Sequence, residues 1–178
     1  MENRPLLNGW MKNTGKNLEN WIQAESEKYE RQGKLLLRKV DPPSFSRVWK
    51  GRTIHTLLPN PFPDFIGSTK RGTTLLIEAK STKDKRLPFG KSGLRQKQID
   101  DMRAWAKFGA ICGIIWDCGK FYWITLDNLA QANEDGRKSV TPEYCTEILS
   151  RNGHVIDFYA NIRHQMTMAE QIASENVK

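Results

Sequence analysis

Asp64, Glu78 and Lys80 are the residues of this chain whose types and spacing could do chemistry. In a strand alternate side chains share a face, so Glu78 and Lys80 point one way while Ile77 and Ala79 point the other. If the segments holding Asp64 and Glu78 pair about a turn centred near Arg71, Asp64 falls opposite Glu78. Directly opposed side chains have Cβ atoms about 4.5–5.5 Å apart. Two carboxylates at that range can hold one Mg²⁺, whose ligands sit at about 2.0–2.1 Å. The Lys80 ammonium can then orient or deprotonate a water, or stabilise charge developing on a phosphate. The competing reading is an ordinary strand ion pair between Glu78 and Lys80, with Asp64 merely following Pro63 in a turn. Leu75, Leu76 and Ile77 favour the first reading. A carboxylate and an ammonium closing so apolar a strand need partners to offset their burial.

The elements that must position these side chains can be read around them. Asn13 or Thr14 can cap a helix running to about Arg31, in which Leu18, Trp21, Ile22, Glu25 and Tyr29 form a mostly apolar stripe. Gly33 is placed to end it. Residues 35–40 read as a strand, broken by Asp41-Pro42-Pro43. Residues 62–67 and 73–81 are extended segments around the turn-forming residues 68–72. Residues 83–93 make a basic, glycine-containing loop, and 94–108 a helix with Ile99, Met102 and Ala106 on one stripe. Residues 110–116 and 121–126 form another strand pair, joined by Asp117-Cys118-Gly119-Lys120. Helical patches are expected near 127–134, 141–149 and 162–174, with a short strand near 155–159. This alternation predicts an α/β fold, a mixed β-sheet flanked by helices.

At 178 residues and 38% hydrophobic, the chain suits a single globular domain spanning 1–178. Lys and Arg total 28 against 20 Asp and Glu, and the resulting charge of +8 favours polyanionic partners. Cys112, Cys118 and Cys145 have no CxxC spacing, and His55, His154 and His164 lie near no cysteine pair, which argues against a disulfide framework and a structural zinc. Residues 110–116, the most apolar run, are too short to span a membrane, and the N-terminus lacks the features of a signal peptide. A cytoplasmic protein is expected, nucleoid-associated or, if viral, in the host cytoplasm.

Residues 44–58 carry Arg47, Lys50, Arg52 and His55 among Phe45, Val48, Trp49 and Ile54, and contain no acid. Bounded by prolines at 42, 43, 59, 61 and 63, they suggest an excursion from the domain. Arg47, Lys50 and Arg52 can meet phosphates, while Phe45 and Trp49 could stack on unpaired bases. The alternative buries those aromatics in the core and leaves the basic residues solvated.

The order of motifs resembles a known family. Pro63-Asp64-Phe65-Ile66-Gly67, Ile77-Glu78-Ala79-Lys80-Ser81-Thr82-Lys83, Leu87-Pro88-Phe89, Gln96-Lys97-Gln98-Ile99-Asp100-Asp101-Met102 and Gly109-Ala110-Ile111-Cys112 are similar to the corresponding stretches of RecU-type Holliday junction resolvases, within the PD-(D/E)XK nuclease superfamily. The likeness continues through Phe121-Tyr122 and Gly136-Arg137-Lys138-Ser139. It implies a restriction-endonuclease-like core with a protruding basic stalk at 41–63, a homodimer, Mg²⁺ or Mn²⁺, and paired incisions in four-way and branched DNA. By position Asp64 and Glu78 match the family's metal ligands and Lys80 its catalytic lysine. Glu19 matches an acid that completes the metal site from the first helix, and Gln98 a glutamine of the HQI-like segment. Without the resemblance, Glu19 reads as a solvent-facing acid favoured by the helix dipole and Gln98 as a surface helix residue. Two departures stand out: Lys97 takes the place of a histidine, and Pro61-Phe62-Pro63 that of a hydroxyl-rich run. Lys83, Lys85, Arg86, Lys91 and Arg95 join the Arg47–Arg52 group as candidate DNA contacts. The leading expectation is a structure-selective, Mg²⁺-dependent endonuclease. The alternatives are a DNA-binding recombination accessory protein whose nuclease centre is unused, and a nuclease of the same superfamily with other DNA specificity.

Overall fold

The structure, a computed structural model, describes residues 14–57, 62–151 and 155–175. The candidate cap Asn13, His154 and the end of the basic excursion at 58–61 lie outside them.

Helix α1 (Thr14–Arg31) buries Leu18, Ile22 and Tyr29, as the stripe predicts, and takes Glu25 down with them, where Lys28 pairs with it at 3.3 Å. Gly33, at φ 63°, ends the helix: its N–H donates to the Glu30 carbonyl, and that of Lys34 to Tyr29, as in a Schellman turn. The chain enters β1 (Leu35–Lys39), then β2 (Ser44–Trp49) and β3 (Arg52–Leu57), then β4 (Phe65–Thr69) and β5 (Thr74–Ser81). After β6 (Leu87–Pro88) come α2 (Gln96–Ala106), β7 (Ile111–Asp117), β8 (Phe121–Thr125), α3 (Leu126–Glu134) and β9 (Ser139–Val140). The short strands β10 (Thr146–Glu147), β11 (Ser150–Arg151) and β12 (Val155–Ile156) precede α4 (Tyr159–Glu175).

Six strands form the main sheet in the order β1-β4-β5-β7-β8-β10. Only β5 and β7 pair in parallel, and α2 lies in the crossover between them. This is the expected mixed sheet flanked by helices. Two hydrophobic cores lie on its two faces. Leu18 and Ile22 of α1 join Leu35, Leu37, Phe65, Leu75, Ile77 and Ile115 in the first. Leu76, Ile99, Met102, Ile114, Trp116 and Leu129 gather with α2 and α3 in the second. Leu75 and Leu76 thus face opposite cores, so β5 is covered on both sides, as its unbroken apolar run requires.

Three expectations are corrected. Residues 141–149 are not helical: a single 3₁₀ turn at Pro142–Tyr144 leads into β10, which pairs Thr146 with Trp123 and Glu147 with Tyr122. The far edge of β8 had unpaired peptide groups, and satisfying them outweighs the weak helical pattern. The basic loop at 83–93 also contains structure: β6 pairs with β9, and Leu87 and Leu94 are fully buried in the second core. The last helix starts at Tyr159, earlier than the pattern implied.

Candidate active site

Strands β4 and β5 pair antiparallel with Phe65 opposite Ile77 and Gly67 opposite Leu75. Continued by one residue, this register sets Asp64 across from Glu78, as the turn near Arg71 predicts. Asp64 accepts a hydrogen bond from the Ala79 N–H at 2.8 Å, which ties its carboxylate to the end of β5. Because Leu76 faces the second core, alternation turns Glu78 and Lys80 toward α2. Glu78 is buried, with 2% of its surface exposed, and Lys80 donates to its Oε1 at 2.6 Å.

Gln98 completes this arrangement from α2. Its Nε2 donates to the same Oε1 of Glu78, while its own Oε1 accepts from the Arg95 N–H at 3.2 Å and from Arg95 Nε at 3.4 Å. An amide is the side chain that can do both: it accepts from an otherwise unpaired N–H at the helix start and donates to a carboxylate. Gln98 is therefore not a bland surface residue. It couples the start of α2 to the buried acid.

The site carries more negative charge than it neutralises. Burial, reinforced by the neighbouring Glu78, pushes the Asp64 carboxyl up to about 6, against the pull of the Ala79 N–H and the Lys80 ammonium; Glu19 adds to the upward shift. A buried and a half-buried carboxylate facing each other across paired strands, with one lysine on Glu78, fit a further cation of oxygen-seeking type. Asp64 and Glu78 are the residues that could hold it.

Glu19 approaches from the other face. It lies on α1, beside buried Leu18, and its Oε2 is 2.9 Å from Lys39 Nζ at the end of β1. Among the described residues no three His, Cys, Asp or Glu side chains converge closely enough to hold a metal ion, so the structure brings together Asp64, Glu78, Lys80 and Gln98 and leaves Glu19 paired with Lys39. Sequence reasoning passed over Lys39. The signal was present: Leu35 and Leu37 are buried on the α1 side, and alternation puts a lysine next in that row.

The candidate DNA contacts fall into two groups. Strands β2 and β3 form a two-stranded ribbon that pairs with no other strand among the described residues, turning at Lys50 (φ 48°) and Gly51 (φ 73°). The positive φ values match the tight turn that suits a twisted hairpin. Its register, with Phe45 opposite Thr56, Arg47 opposite Ile54 and Trp49 opposite Arg52, puts Phe45, Arg47, Trp49, Ile54 and Arg52 on one face. Ser46, Val48, Thr53 and His55 occupy the other, where the Ser46 hydroxyl and His55 Nδ1 share a hydrogen bond of 2.7 Å. Phe45 and Trp49 are exposed and not in the core, and Lys50 Nζ stands 4.7 Å from the centre of the Trp49 ring. Lys83, Lys85, Arg86, Lys91 and Arg95 are all exposed in the segment between β5 and α2, directly after the strand that carries Glu78 and Lys80.

A family model described as Recombination protein U matches residues 13–168. No curated protein matches the chain. Among solved structures it is similar to Hjc of Archaeoglobus fulgidus, described as a Holliday junction resolvase from an archaeal hyperthermophile. The two are 18% identical over 64% of this chain and 78% of that one, with a TM-score of 0.43. Among the described residues no helix is long and apolar enough to cross a membrane.

Proposed function

This chain belongs to the recombination protein U family, and from that premise we propose that it is an endonuclease that resolves four-way (Holliday) DNA junctions by metal-dependent hydrolysis of a backbone phosphodiester. The observation that carries the reading is the register of β4 on β5, which aligns Asp64 with Glu78 while Lys80 and Gln98 both donate to Glu78.

Each residue then has a physical role. Asp64 and Glu78 would hold a divalent cation, Mg²⁺ or Mn²⁺, which when bound supplies positive charge at the phosphate and a water of lowered pKa. Glu19 would join them from α1 only on leaving its ion pair with Lys39. The Lys80 ammonium would orient the attacking water or steady charge on the phosphate oxygens, because its Nζ sits 2.6 Å from Glu78, beside the position the cation would take. Gln98 fixes the orientation of the Glu78 carboxylate. Arg47, Lys50, Arg52 and the basic segment of Lys83, Lys85, Arg86, Lys91 and Arg95 engage phosphates. Phe45 and Trp49 offer flat surfaces for bases exposed at the branch point. A homodimer of about 41 kDa, twice the 20.5 kDa chain, would supply the two sites for paired cuts.

The test is cleavage of a synthetic four-way junction beside a linear duplex of the same sequence, with Mg²⁺ or with EDTA, using the natural chain and Trp49→Ala. Metal-dependent cutting of the junction in preference to the duplex is expected. Trp49→Ala should lower that preference without altering the salt dependence of binding, since it removes no charge. Equal cutting of both substrates, or none of either with Mg²⁺ and Mn²⁺, would refute the assignment.

A further inference from the structure

The active site contains a second lysine that the proposed chemistry does not use. We propose that Lys39 is a resident counter-ion of the site: its ammonium holds the Glu19 carboxylate that a divalent cation would take, so the two cations compete for it. The proposal rests on reading Glu19 as a metal-facing acid.

The placement of Lys39 is unusual for its strand. Leu35 and Leu37 point beneath α1 and are buried, and Lys39 continues their row at the end of the sheet. Its ammonium lies 2.9 Å from Glu19 Oε2 and 3.8 Å from Asp41 Oδ1, and Asp64 attracts it through space. Its side chain is 31% exposed and that of Glu19 26%, so water screens this pair only in part. Two carboxylates, from α1 and the turn after β1, thus pair with one lysine, and Asp64 at the start of β4 adds its attraction from farther off.

Lys80 and Lys39 then divide the neutralisation of the site between them. Lys80 pairs with Glu78 on the α2 side, and Lys39 with Glu19 on the α1 side. A divalent cation seated on Asp64 and Glu78 and reaching for Glu19 would meet the Lys39 ammonium as a like charge. Asp41, whose side chain is 86% exposed, gives that ammonium somewhere to go. The long unbranched stem of Lys39 can swing toward Asp41 without moving β1. Exchange of one cation for the other would keep Glu19 neutralised in both states.

The test is a titration of the full chain with Mn²⁺ alone, without DNA, following the spectroscopic signal of the free ion. Lys39→Met should tighten Mn²⁺ binding by about two- to fivefold, the range a partly exposed ion pair accounts for. Lys39→Arg, which keeps the charge, should bind close to the natural chain. Glu19→Gln alone should weaken binding, and in that background Lys39→Met should gain nothing, because the competition runs through Glu19. Melting temperatures without metal supply a second readout. A merely structural Lys39 would show as lost stability in Lys39→Met with unchanged Mn²⁺ affinity, which overturns the proposal. A gain that persists in full beside Glu19→Gln also overturns it, since it marks a general field effect. If Glu19→Gln binds Mn²⁺ as well as the natural chain, the role given to Glu19 is itself wrong. If Glu19→Gln weakens binding and Lys39→Met still gains nothing, only the competition fails.

Discussion

Replacing Asp64 by Asn should stabilise the metal-free protein while abolishing cleavage. Burial and the neighbouring Glu78 raise the Asp64 carboxyl to about 6, against about 3.9 in an unfolded chain. The folded state therefore binds this proton more tightly. Between those two values it carries more protons than the unfolded state, so stability falls as pH rises through the window and is flat above it. At about 1.4 kcal/mol per pKa unit, the charged form costs up to about 3 kcal/mol at neutral pH. Asn removes the charge, and its Oδ1 can still accept the Ala79 N–H that Asp64 uses. In a chain of this size about 1 kcal/mol moves the melting temperature by about 2–4 °C, so a gain on the order of 5–10 °C is expected at pH 8 in EDTA. Near pH 4 the two proteins should melt together, because Asp64 is then protonated on folding. Excess Mg²⁺ should reverse the order by stabilising the natural chain alone. A cation at about a thousand times its dissociation constant contributes about 4 kcal/mol, more than the charge costs. Thermal unfolding of both proteins at the two pH values, with and without Mg²⁺, decides the matter. If Asp64→Asn is no more stable at pH 8 without metal, the two carboxylates are not held in repulsion and the argument for a cation between them falls.

Two further outcomes follow from the same geometry. Lys80→Ala should slow cleavage by about 10²–10³-fold, as loss of one donor aimed at developing charge does, while junction affinity measured by gel shift changes little; an equal loss in both would make Lys80 a binding residue. Gln98→Glu keeps an acceptor for the Arg95 N–H but puts a carboxylate against Glu78, so single-turnover cleavage should drop about tenfold or more with the fold intact by circular dichroism. Normal turnover would show that the orientation of Glu78 does not depend on this bridge.

The local part of the site was legible and the tertiary part was not. Asp64 and Glu78 belong to strands joined by a short turn, so turn position and the two-residue period of a strand suffice to set one against the other. Lys80 follows by alternation. The ribbon of β2 and β3 announced itself through its flanking prolines and its lack of acids. The misread segment, 141–149, has its conformation decided by a distant edge: β8 needs a partner, and Thr146 and Glu147 supply it. Nothing within the segment itself encodes that demand. The double role of Gln98 was hidden for the same reason, because it depends on α2 crossing over the end of β5.

Lys39 marks where the sequence and the structure divide most sharply. In sequence it is one more cation in a strongly basic chain, and its neighbour Asp41 is the acid before two prolines. Only when α1 docks on β1 does the ammonium meet Glu19, and only when β4 lies beside β1, with Lys39 opposite Phe65, does it come within range of Asp64. The site therefore has two origins. A hairpin places Asp64, Glu78 and Lys80 on one face of the sheet, and a slip of β4 by one residue would send Asp64 to the face opposite Glu78 and Lys80. Helix docking brings Glu19 and Lys39 from the opposite face, with positions set by the packing of Leu18 and Ile22 on the first core. The end of the sheet is the place both sets can reach, and it is there that a phosphate could meet carboxylates and ammonium groups from both sides at once.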